Sequence, residues 1–547
     1  MTFQAFVQAE PRPWHGLRDD WLVRSFVRRR LPPAVAEAIE PELADLAALA
    51  AGPLWDFQRA DRQNEPRLTR FDAWGNRVDH IELSPLWREA ERLAVQFGLT
   101  AHPRERRYGP WSRLHQFLLV HLFHPVTDVY TCPLAMTDGA ARTLLASGNQ
   151  ALIDRAVPHL TSRDAGSFWT SGQWMTEATG GSDVGLSLTR AEHRDGTWRL
   201  YGKKWFTSAA TSQMALTLAR PDGNGPGGSG LALFYLETRD AQGRLNGIRV
   251  ERLKDKLGTR KVPTAELTLD GAVAHLVAGQ THGTRSIEPM LRVTRTWNSV
   301  CAASFLRHGL GLAEDFATLR FAFGAPLASQ PLHRATLDDV DAESAGAFLL
   351  AFALVELLGR EEGGELDAGE AALLRLLTPL AKATTGKQAA AVASELVEAF
   401  GGAGYVEDTG IPVLLRDGQV LPIWEGTTNV LALDLLLRSD LDQGLAALRR
   451  RITRACGTLA DPGLQAAGTT SLAAVDGAID WHRATRDPGE RQRAARRFIL
   501  TLGRAFELAL LAEHAAAIAH DDDGPAARQA CLRFRQLGVG QLPGGPS

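Results

Sequence analysis

Three things are scarce in this chain: cysteine, net charge, and long apolar runs. The four cysteines lie far apart and no two have CxxC or metal-ligand spacing, so we expect no metal site and reduced thiols, as in the cytoplasm. The formal net charge is only −3, so composition gives no global signal for a nucleic-acid partner. No apolar run reaches the roughly 18 residues of a membrane span, and the first residues lack a signal-peptide pattern. We therefore expect a cytoplasmic protein without a membrane segment.

What is present is an ordinary globular composition and enough chain for several domains. Of the 547 residues, 45% are hydrophobic and 22% are charged, and a chain of this size forms two or more domains with full cores. The pattern is helical, then β, then helical, which predicts an α+β fold. We predict an N-terminal helical domain with an extended opening segment, a small antiparallel β domain, a helical bundle and an Arg-rich helical extension, over residues 1–165, 166–284, 285–437 and 438–547.

Local patterns place elements inside these domains. Residues 68–83 predict a hairpin that turns at Trp74-Gly75-Asn76. The glycine-rich stretch 221–230 predicts a hairpin connection rather than a phosphate loop, because no Lys-Ser/Thr and helix follow it. Residues 285–322 predict one long helix that ends before Pro326. Arg295 and Arg320 would then share a face of that helix, because their separation makes about seven turns.

One carboxylate stands in an apolar stretch near residue 430. Glu425 lies in the sequence Ile-Trp-Glu-Gly-Thr-Thr-Asn at residues 423–429. Apolar neighbours suit a carboxylate that must take up a proton, and the glycine that follows leaves its approach open, so Glu425 is a candidate general base. The alternative is a loop glutamate that faces solvent. Thr428 is predicted to cap the helix that runs on to Leu437.

Four further segments carry small polar, glycine and aromatic residues in a fixed order. They are residues 174–184 (WMTEATGGSDV), 203–208 (KKWFTS), 320–324 (RFAFG) and 400–405 (FGGAGY). A flavin site needs donors for the ring edge, an aromatic platform and partners for the pyrophosphate. Trp205 and Thr207 are two residues apart on a predicted strand, which places both on one face. Together with the segment around Glu425, these motifs resemble the acyl-CoA dehydrogenase flavoprotein family from about residue 110 to residue 437.

The resemblance implies bound FAD, an acyl-CoA-like substrate and α,β-dehydrogenation, with Glu425 as base and hydride transfer to flavin N5. Arg295 and Trp424 match residues of the substrate region, although Trp424 replaces the usual tyrosine. Arg320 matches an arginine that reaches the flavin pyrophosphate of a neighbouring subunit, which implies a homotetramer. An electron-transfer flavoprotein is the implied electron acceptor. The implied cofactor-binding residues are Met175, Thr176, Gly181, Ser182, Trp205, Thr207, Ser208, Arg320, Gly401, Gly402, Thr427 and Asn429.

Two other positions bear on these implications. Glu398 stands where many members of the family have glutamine, and a carboxylate there would repel a pyrophosphate. Thr294 stands where some members carry their catalytic base, so this chain has no competing base at that position.

Over nearly its whole length the chain resembles one branch of the family, the AidB-type alkylation-response flavoproteins. Shared segments include residues 72–77 (DAWGNR) and 253–258 (LKDKLG), besides the motifs around Glu177 and Glu425. That branch combines weak dehydrogenase activity with binding of duplex DNA through its C-terminal region. Residues 438–547 hold 15 arginines, no lysine and 12 acidic residues, and phosphate binding needs several such charges on one face. The DNA candidates are Arg449, Arg450, Arg493, Arg496 and Arg497, with Arg504 at the same helical spacing.

Three interpretations therefore stay open. The first is a working FAD-dependent dehydrogenase. The second is a DNA-associated flavoprotein that protects DNA under alkylation stress and whose dehydrogenase site is largely vestigial. The third gives the extension an assembly role only. No metal or oxygenase motif supports direct repair of alkylated bases.

Overall fold

Long helices dominate the structure, a computed structural model that describes residues 8–438 and 440–542. The helices of the described residues are α1 (Trp21–Arg30), α2 (Pro33–Ala51), α3 (Pro53–Ala60), α4 (Pro85–Gln96), α5 (His102–Glu105), α6 (Ser112–Phe123), α7 (Thr131–Ser147), α8 (Gln150–Leu160), α9 (Gly283–Ser286), α10 (Glu288–Leu319), α11 (Pro331–Glu362), α12 (Ala368–Ala399), α13 (Pro412–Gly418), α14 (Thr428–Leu436), α15 (Leu441–Cys456), α16 (Pro462–Ala484), α17 (Pro488–Ala517) and α18 (Gly524–Gln536). The strands are β1 (Arg67–Phe71), β2 (Arg77–Glu82), β3 (Ser171–Trp174), β4 (Arg190–Arg194), β5 (Thr197–Thr207), β6 (Met214–Pro221), β7 (Ala232–Glu237), β8 (Ile248–Leu253), β9 (Ala265–Leu276), β10 (Phe321–Ala322) and β11 (Ala325–Pro326).

These elements form two compact units. The helical unit comprises Met1–Asp56, Tyr108–Val126 and Asn298–Ser547. The sheet unit comprises Phe57–Arg107 and Thr127–Trp297. The predicted order of helical, β and helical segments is confirmed. The four domain boundaries proposed from the sequence stay a prediction.

Several helices begin where the sequence supplies a cap. Asp461 accepts a hydrogen bond from the Leu464 amide at the start of α16, and Asp487 accepts one from the Glu490 amide at the start of α17. A proline follows each aspartate, and proline is preorganised for the first helical position. These Asp-Pro pairs therefore divide the extension into separate helices.

The sheet unit is built around a closed ring of paired strands. β6 pairs with β4, β4 with β5, β5 with β9, β9 with β7, and β7 with β6. Most pairs are antiparallel, as predicted, but β3–β6 and β4–β6 are parallel. Trp174, Leu200 and Phe234 are part of the apolar core of this unit. The predicted hairpin is confirmed as β1–β2, and Leu68 and Ile81 pack on the sheet core.

The extension shares the core of the helical unit. α17 packs against α11, α12 and α14, and at the crossing with α12 a Cβ on Gly503 would lie 2.0 Å from Thr384 Oγ1. Arg504 on α17 donates to both carboxylate oxygens of Glu343 on α11, at 2.8 and 2.9 Å. Arg504 is therefore held inside the unit and does not continue an exposed basic face, contrary to the sequence prediction.

One described helix, α11, is apolar and long enough to pass a length-and-hydropathy test for a membrane span. Of its most apolar window, 83% is buried inside the protein. A helix in the core of a folded protein has this property.

Candidate active site

Glu425 lies in a strained turn just before α14. Its φ is 57°, in the left-handed region, and that of Gly426 is 99°. A residue with a side chain adopts such a φ only where its surroundings impose it, and such strain concentrates at functional sites. The Glu425 side chain is half-buried.

The cap of α14 is Thr427 rather than Thr428. The Thr427 hydroxyl accepts from the Val430 amide at 3.4 Å, while Thr428 is the first helical residue and is buried. The helix begins one residue earlier than predicted, because Thr427 has the extended backbone of an N-cap. Asn429 is exposed on the first turn.

Two buried polar side chains contact the chain on either side of Glu425. Asn298 on α10 donates to the Leu421 carbonyl oxygen at 3.2 Å and accepts from the indole N–H of Trp424. Lys382 on α12 donates to the Gly426 carbonyl oxygen at 2.6 Å. The sequence analysis missed both residues. A single lysine in the apolar run 379–383 was the one available signal for Lys382.

In the sheet unit, the segment 174–184 and strand β5 lie together. The Trp205 amide donates to the Thr176 carbonyl oxygen at 3.0 Å. A Cβ on Gly181 would lie 2.7 Å from Thr176 Oγ1, so only glycine fits there without a shift. Met175 and Thr176 are half-buried, whereas Gly181 and Ser182 are exposed. The structure thus brings four of the predicted flavin contacts, Met175, Thr176, Gly181 and Trp205, to one place.

Trp205 and Thr207 do not share a face of β5, so this prediction is wrong. β5 has an irregularity between Lys204 and Thr207 in its pairing with β9, which interrupts the alternation of side chains. Trp205 is 40% exposed, with the Lys254 ammonium 3.5 Å from its ring centre. Thr207 is buried and its hydroxyl donates to the Ala265 carbonyl oxygen at 2.5 Å. Ser208 lies 3.3 Å from the Thr264 hydroxyl.

A buried ion pair fixes the loop beneath these residues. The Glu177 carboxylate accepts from the Lys204 ammonium at 2.8 Å, from the Leu188 amide at 2.7 Å, and from the Ser187 and Thr189 hydroxyls. Burial raises the pKa of Glu177, but Lys204 and the hydroxyl donors outweigh it and lower the pKa to about 2. Glu177 is therefore ionised and ties residues 187–189 to the segment that carries Thr176. The sequence motif contained Glu177 but did not reveal this role.

In the helical unit, Arg320 and the glycine pair lie at two chain reversals. α10 is a single long helix, but it begins at Glu288 after the separate short helix α9 and ends at Leu319, so the predicted helix 285–322 is too long at both ends. Arg320 lies just beyond α10, and the predicted face shared with Arg295 does not extend to it. Arg320 is half-buried and precedes the two-residue hairpin β10–β11. Gly401 has a φ of 57° and, with Gly402, begins the single turn of 3-10 helix Gly401–Tyr405. Arg295 is half-buried on the first part of α10, in the sheet unit.

The arginines predicted to contact DNA lie on α15 and α17. Arg449 is paired with Asp476 at 2.6 Å, and Arg493 lies 3.6 Å from Asp487. All five candidates, Arg449, Arg450, Arg493, Arg496 and Arg497, are exposed. The basic face predicted for α17 is thus limited to its first turns.

Comparisons with known proteins agree with this architecture. Three family models match the chain: the adaptive response protein AidB N-terminal domain at residues 17–165, the acyl-CoA dehydrogenase middle domain at 172–272, and the acyl-CoA dehydrogenase C-terminal domain at 281–439. Acyl-CoA dehydrogenase family member 11 of Caenorhabditis elegans is 38% identical over 96% of this chain and 88% of its own length. The putative acyl-CoA dehydrogenase AidB of Escherichia coli is 34% identical over 70% of each chain.

A solved structure extends the agreement to the fold. The crystal structure of ACDH-11 from Caenorhabditis elegans in complex with C11-CoA has a TM-score of 0.93, with 37% identity over 99% of this chain and 94% of that one. The fold and the motifs define a flavin-type oxidoreductase. The chain belongs to the acyl-CoA dehydrogenase family, and the resemblance inferred from the sequence, including that to AidB, is confirmed.

Proposed function

We propose that this enzyme is an FAD-dependent acyl-CoA dehydrogenase in which Glu425 removes the α-proton of the thioester. The strained turn that presents Glu425 is the observation that carries the proposal, because strain is retained where surroundings hold a group for use. The α C–H electron pair forms the new double bond as the proton passes to the Glu425 carboxylate, and the β C–H leaves as hydride. Bound FAD supplies the acceptor of that hydride.

The sheet unit offers groups that fit a flavin. Thr176 supplies a hydroxyl, and Gly181 lets backbone approach closely where a Cβ would collide. Trp205 presents a part-exposed ring, and the exposed Ser182 hydroxyl suits a phosphate oxygen. Enzymes of this family are typically flavin-dependent, which makes FAD the cofactor of choice here. Met175, Ser208, Arg320, Gly401, Gly402, Thr427 and Asn429 stay assigned to the cofactor as predictions.

An acyl-CoA thioester is the proposed substrate class. Trp424 is fixed by its hydrogen bond to Asn298, so the indole presents a rigid wall to whatever lies beside Glu425. Arg295 stays assigned to the substrate region. An electron-transfer flavoprotein as acceptor, a homotetrameric assembly and a cytoplasmic location are proposals that rest on family membership and on the sequence.

The direct test is anaerobic mixing of the FAD-loaded enzyme with acyl-CoAs that range from short to long chains. Loss of oxidised-flavin absorbance with one chain class would identify the substrate. Glu425→Gln should slow that bleaching by about 10²–10⁴-fold, the usual contribution of a general base. Glu395→Gln, the same change at an exposed position of α12, is the matched control and should react normally. Bleaching that survives Glu425→Gln would reject Glu425 as the base.

Binding of duplex DNA by the extension is a proposal with a narrower basis. Arg449, Arg504 and Arg528 pair with carboxylates of the same unit. Arg450, Arg496 and Arg497 are exposed, which leaves them as the candidate basic patch. If DNA phosphates bind this patch, the affinity of the protein for duplex DNA must fall steeply as the salt concentration rises. A DNA affinity that does not change with salt would reject the proposal.

A further inference from the structure

We propose that Asn298 and Lys382 are positioning residues that hold Glu425 in its left-handed conformation and so fix the direction of its carboxylate. The inference rests on the proposed function, since it assigns the two side chains a role in presenting the base. They act on the chain immediately before and immediately after Glu425.

Asn298 fixes the chain before Glu425. It is 4% exposed, and its amide bonds two groups of opposite character: the Leu421 carbonyl oxygen, which accepts, and the Trp424 indole N–H, which donates. With the amide turned over, its oxygen would face the carbonyl and its NH₂ would face the indole donor. Only one orientation therefore satisfies both partners. One side chain thus ties the turn at residue 421 to the ring of Trp424.

Lys382 fixes the chain after Glu425. Its side chain is fully buried and its ammonium donates to the Gly426 carbonyl oxygen at 2.6 Å. Gly426 has a φ of 99° and could adopt many other conformations, because glycine has no Cβ to restrict it. A hydrogen bond to its carbonyl oxygen removes that freedom at the peptide group adjoining the base.

The lysine is not required for packing. Burying an ammonium is costly, and a methionine of similar length would fill the same space at lower cost. A buried charge that binds the backbone beside a candidate base is therefore better explained by what it positions than by what it fills. When the Lys382 ammonium is removed, we expect residue 425 to relax towards an ordinary extended or helical φ. That change moves the carboxylate.

The test compares Lys382→Met and Asn298→Leu, both close in size to the native residues, with Lys387→Met. Lys387 lies on the same helix, is not fully buried, and undergoes the same chemical change as Lys382. The first readout is amide hydrogen exchange of peptides covering residues 419–431. The second is the separation of kcat from KM with the acyl-CoA that bleaches the flavin fastest.

In Lys382→Met and Asn298→Leu we expect amide exchange to rise within residues 419–431. In α10 and α12, the helices that carry the two side chains, we expect it to stay at the wild-type rate. We expect kcat to fall by about 100-fold, the scale for a misplaced catalytic group, with KM changed little. Lys387→Met should alter neither readout.

Unchanged exchange in residues 419–431 would overturn the inference whatever the kinetics show. A kcat that matches wild type in both variants would overturn it as well, and so would equal losses in Lys387→Met. If none of the acyl-CoAs reduces the flavin of the wild-type enzyme, the proposed function fails. The exchange measurement still decides whether Asn298 and Lys382 hold the turn.

Discussion

At residue 425, the backbone favours glycine whereas the proposed chemistry requires a carboxylate. A φ of 57° raises the free energy of any residue that has a Cβ, whereas glycine adopts it without strain. We expect Glu425→Gly to be more stable than Glu425→Ala by about 1 kcal/mol, because alanine retains the strain and glycine removes it. Urea unfolding of the two variants measures the difference directly, and both lack the carboxylate, so activity does not enter. Equal stability would mean that the turn is not strained.

Which residues could be found from the sequence depends on where their partners lie. Glu425, Thr176 and Gly181 stand in local motifs, so a short window was enough to select them. Asn298 lies 126 residues from Trp424 along the chain, and no local pattern reports a contact of that range. Thr207 was assigned to the face of Trp205 because a regular strand alternates, whereas the irregularity after Lys204 interrupts the alternation.

At the scale of elements, the Glu177–Lys204 pair joins β5 to the loop at residues 187–189. Glu177→Gln leaves the Lys204 ammonium buried without a counter-charge, which should cost about 3–5 kcal/mol. Glu251→Gln, which removes one partner of an exposed pair with Arg77 in the same unit, should cost less than about 1 kcal/mol. Denaturant unfolding followed by tryptophan fluorescence measures both. If the two variants lose the same stability, the buried pair does not hold the loop.

A second buried carboxyl group, Glu507 on α17, should carry a proton. Burial raises its pKa well above the ordinary 4.5, the nearby Glu343 carboxylate adds to the shift, and Arg504 opposes it. Its Oε2 accepts from Gln388 Nε2 at 3.1 Å. Among the described side chains, Glu507 Oε1 and Gln388 Oε1 are both buried acceptors without a donor. A proton on Glu507 would let the acid and the amide bond to each other in both directions.

The pH dependence of stability tests this protonation. A raised folded-state pKa contributes stability below the unfolded value of about 4.5 and loses it as pH rises. Glu507→Gln keeps a neutral side chain at every pH, so we expect its stability relative to wild type to improve between about pH 5 and pH 8. A difference that is constant with pH, measured by thermal unfolding, would show that Glu507 is ionised in the fold.

Element boundaries were predictable where the sequence marks them and not elsewhere. The Asp-Pro pairs at residues 461–462 and 487–488 coincide with the helix starts of α16 and α17, and such a local signal can be read from sequence. α10 was predicted to continue to Ala322, but it ends at Leu319 because the next residues turn back in the hairpin β10–β11. Two-residue strands have too little pattern for a sequence window to detect.

At the scale of the whole molecule, the two units should respond differently to acid. Burial lowers the pKa of His121 and His308 to about 4 and that of His124 and His514 to about 3, all in the helical unit. These rings are neutral in the fold and take up protons on unfolding, so the helical unit loses stability as pH falls below about 6.5. Glu177 in the sheet unit, with a pKa of about 2, stabilises above pH 4.5 and loses its contribution only as pH falls below that value.

We therefore expect acid to unfold the helical unit first. Amide exchange measured by mass spectrometry along a pH series resolves the units, since each peptide belongs to one of them. Helical-unit peptides should lose protection at a higher pH than peptides from strands β5, β6 and β9. Simultaneous loss in both units would contradict the expectation.

The order of helical, β and helical segments was predictable because each has a distinct period of apolar residues. The parallel pairs β3–β6 and β4–β6 were not, since strand direction depends on partners far along the chain. Nor did the sequence show that α17 packs into the core beside α11 and α12, because an amphipathic pattern does not identify which surface the helix covers.

That packing has a consequence for the nascent chain on the ribosome. α11 and α12 are complete by residue 399, yet the helix that covers them does not end until residue 517. At ribosomal rates of about 5–20 residues per second, their apolar surface stays uncovered for roughly 6–24 s. During that interval the emerging polypeptide presents the kind of surface that chaperones recognise. Its yield in a cell should therefore depend on chaperone supply more than its final stability suggests.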